Sequence, residues 1–251
     1  MEKKIAIVCS GGGMKCAYSA GALKALGESV GFKNPDIIIA SSGSAGSLVY
    51  YLSGQYKSIE KIWTELLSTP KFISFFRMWK IMDIDYLIDE VFKKQEPLNL
   101  GDFNKTKVEY LITLTQKESR KGCYFPEIKV NDIFEVLRAT KAFPFVFGKT
   151  VKINETNYID GATSISFGDS LIKASQLGAT HVIAISNSFY GFNDDYKKLK
   201  LVEDVGVKVV LLKDTSSRFN VLNRNPKKLR EIFDSGFNDV VNSREVASLF
   251  I

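Results

Sequence analysis

One histidine, His181, stands among 251 residues, and that scarcity narrows the chemistry at once. A Cys/His metal set cannot be completed around a single imidazole. The three cysteines, Cys9, Cys16 and Cys123, are odd in number and form no C-x-x-C pair. They read as reduced thiols, not as a disulfide frame or a zinc site. Long apolar runs are also missing, and no stretch is long enough to span a bilayer. The run Ile5-Ala6-Ile7-Val8 is too short for the apolar core of a secretory signal, and glycines follow it closely. Internal repeats, low-complexity segments and linkers are absent as well. These absences predict a protein that is cytoplasmic, or exported by a route that leaves no mark in the sequence, with a single domain over residues 1–251 and no metal or other cofactor.

What is present is ordinary in bulk: 45% hydrophobic and 25% charged residues, the balance of a globular protein with a sizeable core. The net charge of +6 favours an anionic surface, membrane or nucleic acid, without choosing between them.

Apolar runs alternate with helical patterns along the chain. Strands are predicted at Lys4–Cys9, Ile37–Ala40, Val108–Thr115, His181–Ser186 and Val205–Leu212, and hairpins at Cys123–Phe125 and around Asn154–Thr156. Helices are predicted at Ala17–Leu26, Leu48–Leu52, Ser58–Ser68, Asp85–Lys94, from an N-cap at Asn131 to Ala139, Asp169–Leu177 before Gly178, and after Asn225-Pro226. Strands interleaved with helices imply a mainly parallel sheet covered on both faces. Pro70–Met82, dense in aromatics with Lys71, Arg77 and Lys80 between them, has two readings. It is a helix packed on the core, or an interfacial lid with an apolar body and a basic fringe.

Two loops carry chemistry. Ser10-Gly11-Gly12-Gly13-Met14-Lys15 joins the first strand to the first helix and exposes backbone N–H groups that suit negative charge. A dinucleotide fingerprint fails because Cys16 stands where the third glycine belongs, and a Walker loop fails because Cys16 follows Lys15. An oxyanion hole needs only N–H groups aimed at one point. The second loop, Ser41-Ser42-Gly43-Ser44-Ala45-Gly46, joins a strand to a helix through small residues, the setting of a nucleophile elbow. Ser44 sits at its centre as the candidate nucleophile, Gly46 takes the second glycine position of G-x-S-x-G, and Ser42 stands in the first. A serine needs a base. His181 opens a strand at the sheet edge away from these loops, so a carboxylate is the better candidate. Asp160 follows the strand Tyr158-Ile159, and Gly161 and Ala162 leave space around it.

Taken in order, these pieces resemble the patatin-like phospholipases, lipid acyl hydrolases with a Ser-Asp dyad. Gly11-Gly12-Gly13-Met14-Lys15 matches the family's G-G-G-x-[KR], Ser42–Gly46 its elbow, and Asp160-Gly161-Ala162 its D-G-[GA]. Arg138–Pro144 is similar to its A-S-x-A-x-P segment, and Leu177–Ile185 to a following strand, so the resemblance runs over about residues 4–186. It implies a three-layer α/β/α fold in which Ser44 attacks an ester carbonyl and Asp160 takes its proton. Gly11, Gly12 and Gly13 then bind the oxyanion, and Lys15, Gly46 and Gly161 support the motifs. The implied substrate is a phospholipid or lysophospholipid, with peripheral contact to an anionic membrane and no nucleic-acid partner. The alternative, a catalytically impaired member that binds lipid or a protein, rests on Ser42 in place of the first elbow glycine.

Overall fold

The computed structural model describes residues 2–126, 132–187, 193–215 and 221–250. The chain runs β1 (Ile5–Cys9), α1 (Ala17–Glu28), β2 (Ile37–Ala40), α2 (Gly43–Leu52), α3 (Tyr56–Thr64), a π-helical segment (Tyr86–Gln95) and α4 (Leu100–Phe103). There follow β3 (Glu109–Gln116), β4 (Gly122–Phe125), α5 (Ile133–Ala139), β5 (Val151–Ile153), β6 (Thr156–Asp160) and α6 (Phe167–Gln176). The last elements are β7 (His181–Ser186), α7 (Asn193–Asp204), β8 (Lys208–Lys213), α8 (Pro226–Asn242) and α9 (Arg244–Ser248).

β1 shows why the layers form. Every residue in it is buried, and successive side chains leave a strand on opposite faces. Ile5, Ile7 and Cys9 enter one core cluster, and Ala6 and Val8 enter another. A strand apolar at each position needs cover on both sides. Here α1, α2, α3 and α8 cover one face, and α6 and α7 cover the other. The α1 and α8 backbones touch: a Cβ on Gly21 would lie 1.9 Å from the Phe233 carbonyl oxygen, and one on Gly236 would lie 2.0 Å from that of Tyr18.

The sheet order is β5-β6-β3-β2-β1-β7-β8, with β4 also on β3. β3, β2, β1, β7 and β8 are mutually parallel, and β4, β5 and β6 pair antiparallel. This is the expected three-layer α/β fold with a mainly parallel sheet. Parallel strands deliver their following loops to one edge, where such folds bind ligands. β2 ends with Ala40 opposite Ile112, and β6 ends with Asp160 opposite Leu114, so the two ends reach β3 two residues apart. His181 opens β7 opposite Ile5, at the other edge.

Three local expectations change. Pro70–Met82 is not a helix but a turned loop closed by a bridge between Ile73 and Met82. Phe72, Ile73 and Met82 are buried, while Phe75, Phe76, Met78 and Trp79 stand exposed. A helix of this composition would be apolar all round and would need cover all round. Two of its three basic residues are also spent internally, because Arg77 pairs with Asp83 and Lys80 with Asp83 and Asp85. The helix α7 was not expected, since its sequence is mostly charged and only Leu199 and Val202 turn inward. The N-cap expected at Asn131 lies outside the described residues; Asp132 caps α5, accepting from the Phe134 N–H.

Candidate active site

β2 runs into α2 through one strained residue. Ser42 has φ 52° and ψ −122°, a left-handed backbone for a residue with a Cβ. Strain of this kind costs about 1–3 kcal/mol and collects at functional sites. The surroundings hold it in place. The Ser42 N–H donates to Thr140 Oγ1 at 3.0 Å, and Thr113 Oγ1 donates to Ser41 Oγ at 2.8 Å. Gly43 has no room for a side chain, since its Cβ would lie 2.9 Å from Cys16 Sγ and 3.0 Å from the Gly13 carbonyl oxygen.

At the top of this turn Ser42 Oγ donates to Asp160 Oδ2 at 2.6 Å. The Ala162 N–H donates to Asp160 Oδ1 at 2.9 Å, and the Asp160 N–H donates to the Ala142 carbonyl at 3.1 Å. Gly161 is required beside it, because a Cβ there would lie 2.1 Å from Thr113 Oγ1. Burial pushes the Asp160 carboxyl up to about 6, against the pull of Ser42, the Ala162 N–H and the Lys141 charge. A buried carboxylate poised near neutrality is suited to accept a proton.

The expectation for Ser44 is corrected here. Asp160 meets Ser42, and Ser44 is fully buried on the other side of the first turn of α2. The Asp160 carboxylate is engaged by Ser42 and the Ala162 N–H, and among the described residues no hydrogen bond joins it to Ser44. Ser44 Oγ donates to the Ser10 carbonyl at 2.7 Å, shares a bond with Ser19 Oγ at 2.8 Å, and accepts from Asn187 Nδ2 at 3.0 Å. Asn187 also donates to the Ser10 carbonyl and accepts from the Ser19 N–H, tying the end of β7 to the start of α1. The elbow is therefore spelled Ala40-Ser41-Ser42-Gly43-Ser44, with small residues in both glycine positions. Gly46 serves differently: its missing side chain admits Phe92, whose Cζ lies 3.0 Å from where a Cβ would stand.

The glycine loop lies against the same turn, with a Gly11 Cβ position 3.2 Å from Ser42 Cβ. Gly12 and Gly13 have φ of 151° and 56°, which a side chain would strain. Among the described residues, no hydrogen bond engages the N–H groups of Gly11, Gly12, Gly13 or Gly43. Lys15 closes the loop through its N–H to the Gly12 carbonyl, and its side chain does not line the cavity below. His181 sits at the far edge of the sheet beside Thr180 Oγ1, and burial with Lys3 and Lys208 lowers its pKa.

A cavity of about 270 Å³ opens from Ser42 and Asp160 between α2, α3 and the π-helical segment. Its walls are Tyr50, Ile59, Trp63, Leu67, Phe72, Leu87 and Phe92, apolar almost throughout. That volume is near the roughly 300 Å³ lower end of ligand pockets. Among the described residues, no group of three or more His, Cys, Asp or Glu side chains could hold a metal ion, and no helix is long and apolar enough to cross a membrane.

A model of the patatin-like phospholipase family matches residues 7–168. The chain is similar to the uncharacterized protein YjjU of Escherichia coli (strain K12), 27% identical over 189 residues, covering 72% of this chain and 51% of that protein. It thus spans about half the length of that relative. The crystal structure of VipD from Legionella pneumophila is similar in fold, with a TM-score of 0.60 over 96% of this chain and 66% of that one at 11% identity. The family model takes in β1, the glycine loop, the elbow, Asp160 and the start of α6, well over half of the chain, and the chain belongs to the patatin-like phospholipase family.

Proposed function

We propose that the protein is a lipid acyl hydrolase whose nucleophile is Ser42 and whose base is Asp160. The observation that carries this reading is the 2.6 Å hydrogen bond between them on a strained elbow that opens on an apolar cavity. Asp160 accepts the Ser42 proton as Oγ attacks the ester carbonyl carbon. The oxyanion that forms is held by the free N–H groups of the glycine loop and of Gly43 at the start of α2, where the helix dipole also favours negative charge. Collapse of the intermediate expels the alcohol, which takes the proton from Asp160. Water then adds to the acyl-serine as Asp160 takes one of its protons, and the second intermediate collapses with Asp160 returning that proton to Ser42 Oγ as the fatty acid leaves. The acyl chain occupies the apolar cavity, and the substrate class is a phospholipid or lysophospholipid. The impaired-binder alternative drew on Ser42 standing in a glycine position, and Ser42 on the strained turn removes that support. Release of p-nitrophenol from medium-chain esters, and of fatty acid from phospholipids, tests the reading.

His181 has no part in this chemistry. His181→Gln is expected to keep kcat/KM within about threefold of wild type. A loss of about a thousandfold, the scale of a missing catalytic base, would point to a histidine-based triad.

The same reading includes contact with a membrane surface. Phe76 is 98% exposed, Trp79 78% and Phe145 82%, and their two loops are joined by the Gly148 N–H to the Trp79 carbonyl. Phe72, Met82, Phe143 and Val146 of these same loops line the cavity, so the exposed aromatics flank its entrance. With Arg77 and Lys80 engaged in ion pairs and, among the described residues, Lys71 the one basic residue of the segment left out of them, the aromatics drive the contact more than the charges do. Each aromatic buried in lipid contributes about 1.5–3 kcal/mol. Phe76→Ser with Trp79→Ser is therefore expected to lower the ratio of vesicle to monomeric-ester hydrolysis at least about tenfold. An unchanged ratio would contradict the docking.

A further inference from the structure

Among the described residues the cavity wall holds one cationic side chain, and it is unaccompanied. Lys141 is 6% exposed, and its Nζ has no hydrogen-bond partner among the described residues. Its place is fixed on both sides. Thr140 Oγ1 accepts from the Ser42 N–H, and the Ala142 carbonyl accepts from the Asp160 N–H, so Lys141 lies between backbone contacts to both members of the dyad. Its Cε lies 3.7 Å from where a Cβ on Gly46 would stand, on the side lined by Tyr50 and Phe92.

The titratable groups that face it are Asp160 and Cys16. Asp160 makes no ion pair with it, its carboxylate being engaged by Ser42 and the Ala162 N–H. Burial pushes the Cys16 thiol up to about 12, so it is neutral and offers no counter-charge at ordinary pH. Burial also pulls the Lys141 ammonium down to about 7, against the charge of Asp160. A buried ammonium without a partner is costly, and an acyl chain beside it would leave that cost in place. An anion arriving within hydrogen-bond reach would remove it.

We infer that Lys141 is the anion-recognition residue of this cavity and takes the phosphate of a phosphate-bearing lipid ester. The inference rests on the cavity being the substrate site of the proposed hydrolase, and it assigns the residue by which that site would tell a phosphate-bearing ester from a neutral one. The phosphate of such a lipid is a few bonds from its ester carbonyl, which suits a cation placed beside the dyad and not at the cavity entrance. Neutral acylglycerols would leave Lys141 bare.

Calorimetry on the full chain carrying Ser42→Ala tests this without turnover. The probes are octyl phosphate, octanoate and octanol. Octyl phosphate is expected to bind at least about tenfold tighter than octanol, the scale of one charge-assisted hydrogen bond. Adding Lys141→Met should bring that ratio to about twofold or less, while Lys141→Arg keeps most of it. Met follows the Lys side chain to within one atom and leaves no hydrogen-bond partner behind, so folding is expected to survive. Lys141→Gln provides a second variant if it does not. Equal binding of octyl phosphate and octanol would overturn the inference, as would a ratio indifferent to Lys141→Met. Octanoate bound more tightly than octyl phosphate would also overturn it, because the anion would then be the released acid. Residual hydrolysis by Ser42→Ala would count against the nucleophile and leave the binding ratio still readable.

Discussion

Ser42→Ala is expected to lower kcat for ester hydrolysis by about four orders of magnitude or more, the scale on which nucleophile losses fall in serine hydrolases. Ser42 is 9% exposed and among the described residues its Oγ bonds only Asp160, so its removal should leave the fold intact. Ser44→Ala is the necessary contrast. It strips partners from Asn187 and Ser19 inside a sealed network, which should cost about 1–3 kcal/mol of stability. Activity per folded molecule should stay within a few-fold. Circular dichroism melts alongside initial rates separate the two variants. A dead, well-folded Ser44→Ala beside an active Ser42→Ala would reverse the assignment.

Asp160→Asn should be the second most damaging change. It keeps a side chain of the same shape, still able to accept from the Ala162 N–H, but removes the basicity. A fall in kcat of about a thousandfold or more is expected with little change in KM, since the lost interaction belongs to the transition state. In the wild type, ionised Asp160 is the active form, so kcat/KM for neutral p-nitrophenyl esters, which make no use of the Lys141 charge, should fall tenfold per unit below about 6 and hold level above it. The same group carries a stability consequence of defined sign. Its folded-state pKa lies above the ordinary carboxylate value, so the folded chain holds this proton more tightly than the unfolded chain. Stability is lost as pH rises from about 4 through about 6. Asp160→Asn removes that loss and should raise Tm at pH 7 and above. A lower Tm there, or a flat acid limb in the wild type, would contradict the buried-base account.

The layers were legible because β1, β2 and β7 are apolar at nearly every position, a pattern that only a sheet covered on both faces accommodates. The position of Asp160 was legible because Asp160-Gly161 ends a short strand, and the packing of Gly161 on Thr113 explains the pair. Which elbow serine faces the aspartate was not legible. The glycine spacing around Ser44 fits the motif on paper, while the turn itself sits two residues earlier. Only the backbone angles of Ser42 and the reach of Asp160 along β3 decide between them. Asn187 was invisible for a related reason, since nothing in its local sequence announces that it ties Ser10, Ser19 and Ser44 together. The loop Pro70–Met82 misled because its aromatics suit a core helix and a membrane contact equally until the structure shows which are buried. Lys141 read as one letter of a motif, and its isolation emerges only when the walls around it are known.

Covalent labelling with a fluorophosphonate, followed by fragmentation mass spectrometry of the peptide spanning the elbow, tests the central claim most directly. The reagent phosphonylates an activated serine, and fragment masses distinguish the two hydroxyls although they are only two residues apart. The adduct is expected on Ser42, and it should be absent when Asp160 is changed to Asn. An adduct on Ser44, or labelling that is indifferent to Asp160→Asn, would contradict the dyad.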